Sequence, residues 1–123
     1  MNRARRLFLI AGVYGLAVIL PQFFFEARVG RDYPPAVTHP EYFYGFLGVA
    51  AAWQVAFLVI ATDPVRYRPL MIPSALEKLS FAGAVAVLYW QGRVPDMVAG
   101  FAAVDFVFGV LFVTAFRQLG RYA

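Results

Sequence analysis

The sequence predicts an all-α integral membrane protein, a four-helix bundle with both termini on the cytoplasmic side. Three observations carry that expectation. Of the 123 residues, 62% are hydrophobic and only 15% charged, whereas a soluble domain runs nearer half apolar and a quarter charged. A water-soluble globule of this size has too much surface to cover with so few polar side chains. Four apolar stretches, residues 7–25, 42–62, 74–91 and 97–116, follow one another along the chain; a hydrocarbon layer of about 30 Å needs roughly 20 helical residues. Basic residues gather on alternate connections, which sets the orientation.

The first stretch is uncharged and follows Arg3, Arg5 and Arg6. Basic residues before an apolar run also describe a signal peptide. This run is too long for one and ends in Phe23, Phe24, Phe25 and Glu26 without a small-x-small cleavage site, so it reads as a retained anchor. Residues 26–41 contain Pro34-Pro35 and His39-Pro40. Each residue before a proline is pushed towards an extended conformation, which predicts a stiff loop without helix, its Arg28, Arg31 and Asp32 pairing locally.

The second stretch opens on Tyr42, Phe43 and Tyr44 and has Gln54 as its strongly polar member. The connection Asp63-Pro-Val-Arg-Tyr-Arg-Pro69 favours a turn and presents Arg66 and Arg68 to lipid phosphates. In the third stretch, Ser74-Ala-Leu-Glu77 fits a capping box. That places Glu77 in the first turn at the interface, with Lys78 snorkelling outward. If the helix instead begins at Pro69, Glu77 sits deeper and faces the bundle. Residues 92–96 form a tight turn in which Asp96 suits the N-cap of the last helix. Small residues recur four apart at Ala11 and Gly15; Gly48, Ala52 and Ala56; Ala82 and Ala86; and Ala99 and Ala103. Such rows permit close helix approach in lipid.

Eight of the eleven basic residues, counting Lys78, fall on the side of the two termini, and Arg28, Arg31 and Arg93 on the other. The expectation is a bacterial inner membrane location, multi-pass, as one domain. The same placement turns the net charge of +4 into a topological signal, with no nucleic-acid partner implied.

The chain excludes much chemistry. Without cysteine there is no thiolate nucleophile or zinc–sulfur site, and one histidine, His39 in a loop, cannot build a multi-histidine metal or haem centre. No Ser-His-Asp set or Gly-rich phosphate loop is evident. No catalytic residue, metal or cofactor is predicted; a bound lipid or other apolar molecule fits.

Asp105 is the most informative position. It lies nine residues after Asp96, about 13.5 Å along the helix and close to the bilayer midplane. A carboxyl there costs roughly 2.5–3.5 kcal/mol on insertion scales and calls for an interior position and a partner; burial keeps it neutral unless a cation lies near. Gln54 is at a similar depth and is the expected hydrogen-bond partner, with Tyr14 within a turn of that level. Phe101, Phe108 and Phe112 surround Asp105 by helical spacing. The candidate ligand-binding set is therefore Asp105, Gln54, Tyr14, Phe101, Phe108, Phe112 and Glu77.

In span count and loop sizes the chain resembles small four-helix bacterial membrane proteins of the DoxX-like kind. Asp63-Pro64, Arg66, Pro69 and Glu77, followed by an apolar span, resemble the segment that introduces a glutamate-bearing helix in the emopamil-binding (EXPERA) family, although here two spans precede it and one follows. That resemblance implies a role for Glu77 as an intramembrane acid.

The leading functional expectation is a non-enzymatic accessory or binding subunit, with membrane lipids and a larger respiratory or photosynthetic assembly as partners. The alternatives are a hydrophobic-ligand binding protein or isomerase using Asp105, and an oligomeric proton-coupled transporter.

Overall fold

The computed structural model describes residues 2–122, and among them there is no strand. Five α-helices run in order: α1 (Asn2–Ile19), α2 (Glu26–Asp32), α3 (Pro40–Thr62), α4 (Met71–Trp90) and α5 (Asp96–Leu119). Short 3-10 turns at Leu20–Phe24 and Arg68–Leu70 extend α1 at its end and α4 at its start. Four helical segments, Asn2–Phe24, Pro40–Thr62, Arg68–Trp90 and Asp96–Leu119, are long and apolar enough to cross a membrane. This agrees with a multi-pass membrane protein.

The helices pair as two hairpins. α1 packs along α3 and α4 along α5, while packing between the hairpins, through α1–α5 and α3–α4, is sparse. The hairpins meet at the arginine-bearing end. There Phe8, Phe57 and Phe112 form one aromatic knot: Phe8 stacks on Phe112 at 4.2 Å between centroids, and Phe57 meets Phe112 edge-on at 5.0 Å. Ala4, Ile60, Met71, Ala75 and Leu119 complete that core.

Several local expectations need correction. Residues 26–41 are not without helix, because Glu26–Asp32 forms α2. Its first turn carries Glu26 and its last Arg31, which suits the helix dipole. Arg28 and Asp32 pair at 3.5 Å one turn apart. The proline effect reaches back only one residue, to Tyr33, where α2 has ended. His39 remains at the surface, stacked on Tyr42 and 3.0 Å from Glu41.

The capping box at Ser74 does not form. The helical run begins at Arg68, and Ser74 lies inside it, its hydroxyl donating to the Leu70 carbonyl at 2.6 Å. Pro73 is accommodated in the first turn of α4, where a missing N–H removes no helical bond. Asp96 is not the cap of α5 but its first residue, after Pro95. Its carboxylate accepts from the Tyr89 hydroxyl at 2.7 Å, tying the α4–α5 hairpin across Gly92, whose φ of 73° suits a glycine in the turn.

Arg68 does not reach outward. Its Nε donates to the Phe116 carbonyl at 2.8 Å, and its guanidinium lies 3.8 Å from the centre of the Phe116 ring. One of the last free carbonyls of α5 is thereby satisfied. Arg66 is exposed, beside the Tyr67 ring.

Candidate functional site

Away from the aromatic knot, the hairpins separate around a cavity of about 1080 Å³. Its walls are mainly apolar: Val18 from α1, Phe46, Val49 and Trp53 from α3, Leu76 and Phe81 from α4, and Val98 and Phe101 from α5. Val29 of α2, together with Tyr33, covers the far end, where the Tyr33 hydroxyl meets Met97 Sδ at 2.7 Å.

Lys78, Glu77, Asp105 and Gln54 also line this space and are its charged end. Lys78 is the centre of the group. Its side chain is only 3% exposed, so it does not snorkel. The reason is its place in α4: Met71, Ser74, Ala75, Lys78, Ala82 and Val85 share the buried face. Small residues bring the neighbouring helix close. A Cβ on Gly109 would stand 2.6 Å from Leu79 Cδ2 and 3.4 Å from Lys78 Cβ, so α5 lies against α4 at this level.

The Lys78 ammonium donates to Gln54 Oε1 at 3.4 Å and to Asp105 Oδ1 at 3.5 Å. It stands 3.8 Å from Glu77 Oε2. The rings of Phe57 and Phe108 approach it at 5.1 and 5.8 Å, within cation–π range. Gln54 does not bond Asp105 directly, as the sequence suggested; its amide donates to the Ala50 carbonyl at 2.8 Å, and its oxygen turns to Lys78. Gly15 makes room for this, because a Cβ there would overlap the Gln54 side chain. Glu77 Oε2 is sealed from solvent and accepts no hydrogen bond.

The structure thus brings Asp105, Gln54, Glu77, Tyr14 and Phe101 to one cavity. Phe108 stands beside it, tilted against Tyr14 at 5.8 Å. Phe112 is elsewhere, fully buried in the aromatic knot. Arg66 and Arg68 belong to the opposite end of α4's hairpin, outside the cavity. The residue that sequence reasoning missed is Lys78. The signal was present: it lies four residues before Ala82 and three after Ala75, on a row of small residues that marks a packed face.

Chemically, a cation between two carboxyls in an apolar enclosure is a rigid polar anchor. Two acids beside one base also leave acceptor capacity uncommitted. The walls would hold an apolar body, and the volume matches the upper range of small-molecule sites. Among the described residues, no cluster of three or more histidine, aspartate or glutamate side chains is placed to hold a metal ion.

Comparison with family models, with curated proteins and with solved structures finds no match to this chain.

Proposed function

We propose that the protein is a multi-pass membrane protein that binds an amphiphilic small molecule within the bilayer, apolar body along the helix walls and polar end at Lys78, Glu77 and Asp105. One observation carries the reading: a cavity of about 1080 Å³ lies between the hairpins and ends at a charged cluster built from both of them. Buried ionisable groups in spanning helices are expensive, and they ordinarily mark ligand or ion pathways. The EXPERA-like segment around Glu77 supports the same reading.

The orientation remains as proposed from the charges, with both termini in the cytoplasm of a bacterial cell. With Lys78 inside, seven basic residues still flank the end bearing the termini, against three at the other. An isomerase reading would need one group to donate and another to accept a proton, for which Asp105 and Glu77 are the available pair. An accessory role in a larger assembly is favoured by a separate feature: Gly45, Gly48 and Ala52 of α3 face outward, and a Cβ on either glycine would meet nothing within 4 Å.

The test is to extract the protein gently and weigh it by native mass spectrometry. A bound small molecule is expected on the wild type and lost from Val98→Trp, which fills the cavity from α5. A wild type that carries no small molecule, and takes up none when lipid extract is added, contradicts the proposal.

A further inference from the structure

Apart from the ligand of the large cavity, we propose that a second pocket, at the arginine-bearing end, binds the phosphate of an anionic membrane lipid between Arg3 and Arg121. This pocket of about 450 Å³ lies between the start of α1 and the end of α5, inside the size range of small-molecule sites. Its floor is buried and apolar, made by Ala4 and Ala115, and its exposed rim is Asn2, Arg3, Gln118 and Arg121.

The rim is one-sided in its chemistry. Arginine only donates, and the two side-chain amides can donate as well. Neither arginine is neutralised: the ion pairs among the described residues are Arg28–Asp32, His39–Glu41 and those of Lys78 with Glu77 and Asp105. Of the seven acids in the sequence only Asp63 stands at this end, and its carboxylate accepts from the Arg66 backbone N–H at 3.2 Å. The carbonyl end of α5 does not supply the counter-charge either. The Phe116 carbonyl is taken by Arg68, and those of Arg117 and Gln118 by the Gly120 N–H. Two guanidinium groups on one pocket repel unless an anion lies between them, and phosphate oxygens match the guanidinium fork. What lies inward favours a lipid over free phosphate. Seven residues along from Arg3 and back from Gln118, about 10.5 Å on each helix, stand Ile10 and Leu111, which are 59% and 42% exposed. In the membrane proposed here both face hydrocarbon, so a headgroup at the arginines lays its acyl chain along them.

The test titrates delipidated protein, in neutral detergent at physiological salt, with phosphatidylglycerol or phosphatidylcholine of equal chains, and counts bound lipid by native mass spectrometry. Each arginine near a lipid phosphate is worth about fivefold, so phosphatidylglycerol should bind about tenfold tighter, or more, than phosphatidylcholine, whose choline cancels the phosphate charge. Arg3→Gln combined with Arg121→Gln should weaken it by about tenfold or more and remove the preference. Arg5→Gln combined with Arg66→Gln takes the same charge from the same end outside the pocket. That pair should change binding by less than about twofold, because exposed charges beyond about 8 Å are screened. All four arginines are exposed, so neither pair disturbs the packing. Val98→Trp should bind phosphatidylglycerol as the wild type does. A loss in that variant puts the lipid in the large cavity and overturns the proposal. Equal binding of the two lipids, or equal losses in the two arginine pairs, also overturns it. Glycerol phosphate that displaces the lipid at equal concentration keeps the phosphate site and overturns the lipid assignment.

Discussion

At the arginine-bearing end, Phe8, Phe57 and Phe112 close on one another until none has exposed surface; at the other end, Phe46, Phe81 and Phe101 stand around a cavity. The residue types are the same, so aromatic content does not decide which end packs. Topology does. The α1–α3 and α4–α5 hairpins are joined by chain only at residues 63–67, on the arginine side, where Arg68 also ties to the end of α5. At the far side each hairpin turns back on itself, and α2 with its following loop is interposed between α1 and α3. In the membrane proposed for these helices, no hydrophobic force would draw apolar surfaces together. Helices therefore close where a short connection and interlocking shapes hold them, and separate where neither does. The Lys78 group marks the boundary between the two regimes.

That contrast can be broken most severely at the boundary itself. Lys78→Met removes the cation and leaves two acids facing an apolar interior; losing one partner of a buried charged group costs about 3–5 kcal/mol. Thermal unfolding in detergent should register the largest loss of any single substitution here, and the bound molecule should leave with it. The packed end comes next. Phe112→Ala opens a hole where the rings of Phe8, Phe57 and Phe108 pack against it, at about 3 kcal/mol, and the same unfolding assay should show it. Gly15→Ala forces Gln54 out of its position beside Lys78; overpacking of this kind costs about 1–3 kcal/mol. Ligand retention should fall more than stability does. Smallest is Phe101→Ala at the open end. The ring is 41% exposed, so unfolding should move by less than about 1 kcal/mol, while the enlarged cavity changes which chain lengths are retained. A Phe101→Ala loss as large as that of Phe112→Ala would erase the distinction between the two ends.

Much of this architecture was legible from residue order. Hydropathy runs locate spans directly, because a bilayer-length helix needs so many consecutive apolar residues; the second and fourth observed segments begin and end within three residues of the expected limits. Asp105, Gln54 and Tyr14 were also legible, as polar groups at one depth. Lys78 was not. Beside Glu77 and after Ser74 it fits the start of a helix at an interface, and the local pattern of a capping box competes with the longer row Ala75–Lys78–Ala82. Only the extension of α4 back to Arg68, through Pro73, decides between them. Phe112 shows the converse error: helical spacing puts it on the same face as Asp105, but spacing alone cannot tell a cavity wall from a packed knot. α2 is hard to read from residue order because it is only seven residues long and precedes prolines that favour extended chain, with the Arg28–Asp32 spacing as a weak helical sign.

The protein divides into an accessible open half and a closed packed half, and carbene labelling of the whole protein tests this division directly. A lipid-soluble diazirine is photolysed in nanodiscs and insertion is mapped by mass spectrometry, with and without an excess of a long-chain alcohol. Tyr14, Trp53 and Val98 should be labelled and shielded by the alcohol, Val13 and Val55 on the outer faces labelled without shielding, and Phe57, Met71 and Phe112 left unmodified. Equal labelling of the interior at both ends, or cavity labelling that the alcohol does not reduce, would contradict it.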